Sequence, residues 1–319
     1  VIIPNWNGKD FLKDCLDSLR AQSFQDFEVI LVDNGSTDGS KEYVRSAYPE
    51  VNLIALSSNT GFTGANNAGI QKASGEYIAL LNNDTCVHPR WLGELCAVLD
   101  SKKEVGFCAS KILFFDRRDT IDAAGDVFYA WGVGGKRGHL QKDSEELNEP
   151  GFIFGACAAA SIYRRSVFEA VGMLEDSFFA YDEDIDLSFR AQLQGFRCYY
   201  VPSAVVYHRV QATARRLADR PLYLVRRNAL AVFVRNMPAP LWWKRFFLVV
   251  GHFLAGDLRL FLKGKGLVVF KARLDNLKSF SRMFKARREI QKTRIASIEY
   301  IDSLMERRRW IDRFREGRA

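Results

Sequence analysis

The feature that most constrains this chain is a regular alternation of two periodicities across its first 110 residues. Short apolar or β-branched runs at Val1 to Pro4, Phe27 to Val32, Val51 to Leu56, Tyr77 to Leu81 and Val105 to Ser110 are each bounded by Gly, Asn, Asp or Ser, which predicts strands. Helical spacing fills the gaps. Phe11, Leu12, Cys15, Leu16 and Leu19 recur on one face, Asp38 to Ala47 and Phe62 to Ala73 follow, and Pro89 to Leu99 opens on a proline suited to a first helical turn. Strand and helix in turn predict an α/β domain with a mostly parallel sheet covered on both faces. Sheets of this kind place ligands in the loops at the carboxyl ends of their strands.

Further along, 114–150 is Gly-rich and mixed in charge, and predicts loops with short antiparallel strands. Phe152 to Tyr163 is apolar and small, Glu183 to Gln194 reads as a helix, and Cys198 to Val201 and Ala204 to Tyr207 read as short strands. The first domain is expected to close at His208, giving a unit over 1–208 and a different region over 209–319. Charge marks the same division: 19 Lys+Arg against 29 Asp+Glu up to His208 (−10), then 27 against 9 (+18), which sum to the net +8. Leu222 to Val234, Leu241 to Leu262 and Leu267 to Phe314 are helical in pattern. Phe270, Leu274, Leu277, Phe280 and Phe284 share one face, as do Ile295, Ile298, Ile301 and Met305.

Basic amphipathic helices rich in Phe, Trp and Leu suit an anionic membrane surface. Packing on the first domain is the plainer reading, and nucleic acid a third, without an RNA or DNA module signature to accompany the charge. The longest uncharged run in this region, Phe246 to Gly256, has 11 residues, well short of the roughly 20 a spanning helix needs, so no crossing is expected. Six scattered cysteines form no C-x-x-C pair, which argues against a zinc cluster or a disulfide framework and for a reducing, cytoplasmic compartment. No leader is visible, and Val1 to Pro4 reads as a strand in progress, so the native start is expected a few residues upstream.

Four places carry candidate chemistry. Val29 to Asp38 is a strand ending in Asp33, Asn34, Gly35 and Ser36, where a carboxylate can accept from a ribose or base N–H or simply close an Asx-turn. Neither a dinucleotide fingerprint nor a P-loop accompanies it. Ile78 to Thr85 ends in Asn82, Asn83 and Asp84, oxygen donors that suit either a hard divalent cation or a polar turn. Between them, Asn59 to Asn67 offers glycines, Gly61 among them, and the amides Asn66 and Asn67 for close approach of a ligand. Asp182, Glu183, Asp184 and Asp186 place four acids in five positions at a helix start. The helix dipole accounts for one or two of them; their mutual repulsion raises at least one pKa, as a general base requires. His208, at the end of the Val205 to Tyr207 strand, is a candidate metal ligand or an ordinary structural histidine.

Taken in order, Val1-Ile2-Ile3-Pro4-Asn5-Trp6-Asn7-Gly8, Val32-Asp33-Asn34-Gly35-Ser36-Thr37-Asp38, Asn59-Thr60-Gly61-Phe62, Leu81-Asn82-Asn83-Asp84, Glu183-Asp184-Ile185-Asp186-Leu187 and His208 resemble family 2 glycosyltransferases. Within that family the chain is similar to the rhamnosyltransferase-type enzymes of bacterial cell-surface polysaccharide assembly, over about 1–235. The resemblance implies a GT-A fold, a nucleotide-sugar donor such as dTDP- or UDP-sugar, a divalent metal (Mn2+ or Mg2+) and inversion at the anomeric carbon. It implies donor contacts from Pro4, Asn5, Asn7, Asp33, Gly61, Asn66, Asn82 and Asn83. Asp84 falls where the family's metal-binding D-x-D ends, His208 where a histidine completes the metal site, and Asp184 where the base stands. Glu183 and Asp186 are assigned to acceptor orientation or structure. One departure stands out: Asn82-Asn83-Asp84 supplies one carboxylate where many relatives have two, which shifts more of the coordination to His208.

The function so implied is transfer of a sugar, rhamnose foremost, to a hydroxyl of a saccharide or lipid-linked saccharide at the inner face of the plasma membrane. The alternatives are another donor sugar on the same fold (galactose, glucose, mannose or N-acetylhexosamine), and a non-catalytic, membrane-associated glycan- or nucleotide-binding homologue.

Overall fold

The expected alternation is realised strand by strand in the computed structural model, which describes residues 1–210 and 219–307. β1 (Ile2–Asn5), α1 (Lys9–Arg20), β2 (Ile30–Asp33), α2 (Ser40–Ala47), β3 (Asn52–Ala55), α3 (Gly61–Lys72) and β4 (Tyr77–Leu81) are followed by β5 (Thr85–Val87), α4 (Trp91–Ser101) and β6 (Val105–Phe114). Leu12, Cys15, Leu16 and Leu19 are the apolar face that α1 buries, at the spacing read from the sequence. The looser stretch then supplies β7 (Ile121–Ala123), β8 (Asp126–Tyr129) and β9 (Gly134–Lys136), and β10 (Gly151–Ile153) follows it. β11 (Ala160–Arg164), α5 (Arg165–Val171), α6 (Glu183–Leu193) and β12 (Arg197–His208) complete this part.

The main sheet runs β10-β12-β6-β11-β4-β1-β2-β3, with β5 on β12 and β7 on β6. β12, β6, β4, β1, β2 and β3 point one way, while β11 and β10 are antiparallel to their neighbours. Asn5 pairs in register with Asp33, so the loops after β1 and β2 leave the same edge of the sheet. β11 enters from the opposite direction, and the amide of Asn82 donates to the carbonyl of Ala159 at 3.0 Å. That antiparallel strand is what brings residues 157–159 beside the end of β4.

Beyond 219 the chain is helical: α7 (Arg220–Asn236), α8 (Ala239–Leu260), α9 (Gly266–Lys278), α10 (Phe280–Lys292) and α11 (Ile298–Ser303), with a last short strand β13 (Met305–Glu306). An apolar cluster spans the expected boundary at His208. It joins Phe128, Phe154 and Phe189 to Val232, Phe233, Met237, Val249, Met283, Ile301 and Met305. α7 and α11 are thus packed against the sheet domain, whereas α8 and α9 leave a long apolar edge in solvent.

The structure departs from the sequence reading in four places. Residues 197–208 form one strand rather than two, with an irregularity between Val201 and Val205 where Pro202 interrupts the ladder. The continuous helix expected from Leu267 breaks at Ser279 and again after Lys292, and Met305 and Glu306 pair with β8 instead; the part beyond 307 lies outside the described residues. β5 and α5 were not anticipated, being three and seven residues long and too short for a periodicity to register. Of the two apolar faces, Ile301 and Met305 are buried, but Ile295, Phe270 and Leu277 are exposed.

Candidate active site

Loops from the carboxyl ends of β1, β2 and β4, together with β8, β9 and the start of α6, enclose a cleft of about 780 Å³. Pro4, Asn5, Gly61, Asn82, Asn83, Asp84, Glu183, Asp184 and His208 all line it. Asn7, Asp33, Asn66 and Asp186 do not. Asp33 is fully buried behind Asn5, accepting from its Nδ2 at 3.2 Å and from the Ser36 amide at 3.0 Å. Asn5 in turn accepts from Asn83 Nδ2 at 2.7 Å, so one chain of polar groups ties the ends of β1, β2 and β4. Asn7 takes positive φ and accepts from the Thr37 amide at 2.8 Å, which braces the loop after β2. Asn66 is buried within α3 and donates to the Phe62 carbonyl at 2.9 Å.

Two glycines are demanded by this geometry. A Cβ on Gly8 would lie 2.1 Å from Asn83 Nδ2. One on Gly61, which sits at φ +83°, would lie 2.4 Å from the Phe179 carbonyl.

Asp84 and His208 meet across the cleft wall, with Oδ1 3.2 Å from Nε2. The other ring nitrogen, Nδ1, is held by Asp122 Oδ2 at 2.8 Å. Burial opposes charge on this imidazole, but the bonds to Asp122 and Asp84 outweigh it and raise its pKa to about 9. Asp122 is fully buried; despite that burial, His139, His208 and the Lys136 ammonium at 2.8 Å hold its carboxyl well below the usual range. Asn82 Oδ1 is buried without a hydrogen-bond partner, and its Nδ2 lies 3.4 Å from His208 Nε2. A carboxylate oxygen and an imidazole nitrogen that converge, with a second carboxylate orienting the ring from behind, form a donor set that fits a divalent cation, which would take the place of the proton on Nε2. Asp122 was missed by the sequence reading because it sits in a three-residue strand, 86 positions from His208.

Asp184 opens α6. Its Oδ2 accepts from the Ala158 amide at 3.2 Å and its Oδ1 from the Ile185 amide at 2.9 Å. Burial raises its pKa against the effect of those two bonds. Asp126 and Cys157 offer ligand atoms that, with that of Asp184, all lie within 4.8 Å of one another. Burial and the nearby Asp184 push Asp126 well above an ordinary carboxyl. Glu183 behaves likewise, through burial and the same neighbour. The crowding read from the acid run is therefore present, and Asp126, on β8, adds to it from outside that run. Asp186 is different: both oxygens are taken, by Arg190 at 2.8 Å and by Arg235 and Asn236 at 3.2 and 2.8 Å. These partners overcome its complete burial and lower its pKa.

The backbone entering α6 is strained. Phe179, Tyr181 and Asp182 take φ of 67°, 71° and 63°, which side-chain-bearing residues seldom adopt. Asn228 of α7 holds this turn, its Nδ2 lying 3.1, 2.9 and 2.7 Å from the carbonyls of Phe178, Ala180 and Tyr181. Arg227 adds bonds to Ser177 and Phe178 at 2.7 and 2.9 Å.

Loops at one edge of a mostly parallel sheet thus bring the candidate residues together. The family model for glycosyl transferase family 2 matches residues 1–172. The chain belongs to that family, and its fold is GT-A. It is 30% identical over 232 residues to the O-antigen biosynthesis protein RfbC of Myxococcus xanthus, a match covering 67% of this chain and 17% of that protein. It is 27% identical over 275 residues to the N-acetylglucosaminyl-diphospho-decaprenol L-rhamnosyltransferase of Mycobacterium tuberculosis, covering 76% and 86% of the two chains. The crystal structure of GalNAc-T7 with UDP, GalNAc and Mn2+ superposes with a TM-score of 0.57 at 16% identity, over 72% of this chain and 46% of that one. The chain spans about a quarter or less of the first two curated relatives it matches, 25% and 17%.

Proposed function

We propose that the chain is an inverting, metal-dependent glycosyltransferase that moves a sugar, rhamnose foremost, from a dTDP or UDP donor to a hydroxyl of a saccharide or lipid-linked saccharide. The observation that carries this reading is the presence in one cleft of the Asp84 and His208 pair and of Asp184, a carboxyl held above its ordinary range by burial. Membership of the family and the names of the relatives above support a role in cell-surface polysaccharide synthesis.

In the mechanism we propose, Asp184 accepts the proton of the acceptor hydroxyl as that oxygen bonds to C1 of the donor sugar, while the bond from C1 to the diphosphate oxygen breaks on the opposite face. Its raised pKa matches this task near neutrality better than an ordinary carboxylate would. Asp84 and His208 would hold the divalent ion, Mn2+ or Mg2+, which supplies neutralisation of charge on the departing diphosphate. Asp122 keeps the His208 ring in register for that role. Asn5, Asn83, Pro4 and Gly61 would line the nucleotide end; Asp33 and Asn7 act behind them through the loops they brace, and Asn66 from inside α3. Glu183 would face the acceptor, and Asp186 holds α6 in place.

The membrane-facing part of the proposal rests on α8 and α9. Phe247, Leu267 and Trp243 are 86%, 85% and 72% exposed, and Leu262, Phe261 and Phe270 extend the same apolar edge beside Arg259, Lys263, Lys265 and Lys271. Single exposed apolar residues are ordinary, but this many large ones on α8, α9 and the turn between them mark a docking surface. Its flanking cations are complementary to an anionic leaflet, and we assign that occupant, at the inner face of the plasma membrane. No helix among the described residues is long and apolar enough to cross a membrane.

The test is calorimetric titration of the chain with UDP, dTDP and GDP, each with and without Mn2+. Metal-dependent binding of one nucleotide is expected, followed by transfer from the corresponding sugar donors. Failure of all three to bind in either condition would overturn the proposal.

A further inference from the structure

A second cavity, of about 390 Å³, lies between α7, α9, α10 and the turn at 177–178. Its lining carries four cationic side chains, Arg227, Arg235, Lys278 and Arg282, and one carboxylate, Asp275. Arg235 is matched by Glu175 and Asp186, and Asp275 accepts from the Tyr223 hydroxyl at 2.5 Å while standing 3.9 Å from Lys278. Arg227 spends its donors on neutral oxygens, including the Ser177 and Phe178 carbonyls. Among the described residues, neither Arg227 nor Arg282 has a carboxylate within ion-pair distance. The cavity therefore holds uncompensated positive charge.

A second observation is independent of charge. Asn276 lines the same cavity at 4% exposure, and neither its Oδ1 nor its Nδ2 has a hydrogen-bond partner. A buried amide with both ends unpaired is costly, and native proteins place such groups where something else pairs them. An amide donor beside surplus guanidinium and ammonium groups suits an oxyanion with several acceptor oxygens. The position adds a source. Lys278 and Arg282 stand in sequence between and beside Leu277, at the end of α9, and Phe280, at the start of α10, which are 72% and 49% exposed.

We infer that this cavity binds a phosphate group, and that its source is the head group of an anionic phospholipid. The lipid source rests on the membrane reading above; the phosphate chemistry does not. Arg227 and Asn228 both line the cavity and both hold the 177–181 turn, so the site adjoins the scaffold of the active site without sharing its cleft.

The test uses the full chain with two probes, inorganic phosphate by calorimetry and vesicles of phosphatidylcholine with and without phosphatidylglycerol. Lys278→Ala/Arg282→Ala removes the two cations at exposed positions. Lys285→Ala/Arg288→Ala removes the same charge from exposed positions of α10 outside the cavity, and Asn276→Leu removes the amide without changing charge. The cavity variants are expected to weaken phosphate binding and the phosphatidylglycerol preference by about tenfold, with the α10 control close to the parent protein. Loss of phosphate binding in the cavity variants, with no vesicle binding by any protein, would uphold a free-phosphate site and sink the membrane reading. Equal losses in the two double variants, or phosphate binding untouched by all three, would overturn the site even if the parent protein binds vesicles.

Discussion

Asn228 donates its side-chain amide to the carbonyl of Tyr181 at 2.7 Å, three residues ahead of Asp184. The contact joins α7 to a turn whose backbone would not hold its conformation unaided, since Tyr181 and Asp182 both sit at positive φ. A fully buried residue of the basic region thus sets where α6 begins and, with it, where the Asp184 carboxyl stands. Asn228→Ala is expected to lower kcat by about tenfold to a hundredfold, because misplacement of a reacting group by an ångström is enough for that. Donor KM should change little. Steady-state kinetics on protein with unchanged circular dichroism checks this, and a variant that alters only KM would remove Asn228 from the positioning role.

Asp184→Asn keeps the shape of the side chain and cannot accept the proton. Transfer should fall by about a hundredfold or more, while calorimetric binding of the nucleotide with Mn2+ stays at the parent level. The pH profile follows from the direction of the shift: burial raises this carboxyl above the ordinary aspartate value of 3.8. Activity is present while Asp184 is ionised and is lost as pH falls through its raised pKa, so the acid limb of kcat/KM should lie above the ordinary aspartate range. An acid limb at or below that range would remove Asp184 as the base.

His208 is aimed by Asp122, whose carboxylate lies 2.8 Å from Nδ1. Asp122→Asn offers a weaker, neutral partner and permits the ring to turn. The Mn2+ concentration that half-activates transfer is expected to rise by about tenfold to a hundredfold, as for other residues that orient a metal-binding histidine. A metal titration of activity decides the matter, and an unchanged half-activating concentration would disconnect Asp122 from metal binding.

Asp186 is enclosed by Arg190 and Arg235, the latter bonded also to Glu175 at 2.5 Å. Arg235→Ala strands buried charge and should lower unfolding stability by about 3–5 kcal/mol, read as a shift of the urea midpoint with little change in slope. Because the partners depress the folded-state pKa of Asp186, its stabilisation is fully present above the unfolded value of 3.8 and is lost as pH falls through the lower folded value. The parent protein should therefore lose this contribution only below the ordinary aspartate value. Stability equal to the parent after Arg235→Ala would show that the network is energetically neutral.

Much of this protein was legible in its residues taken in order. The strand at Tyr77–Leu81, the α1 face at Leu12, Cys15, Leu16 and Leu19, and the crowded acids opening α6 are local patterns, set by a period of two or 3.6 and by the residues that end an element. Asn5, Asp84, Asp184 and His208 were singled out by the resemblance to family 2 glycosyltransferases, and they line one cleft because loops at one edge of a parallel sheet converge. Tertiary structure alone decided the rest. Asp122 and Asp126 lie on strands of three and four residues, too short to carry a period, and reach the site only because β7 and β8 pack beside β6 and β9. Asn228 sits on a helix whose basic composition points to solvent or lipid, yet its amide is buried against a turn 47 residues away. Periodicity reports which face of an element is apolar; it carries no information on which polar group across the core will need a partner, because that is settled when the elements pack and each buried donor and acceptor must be paired.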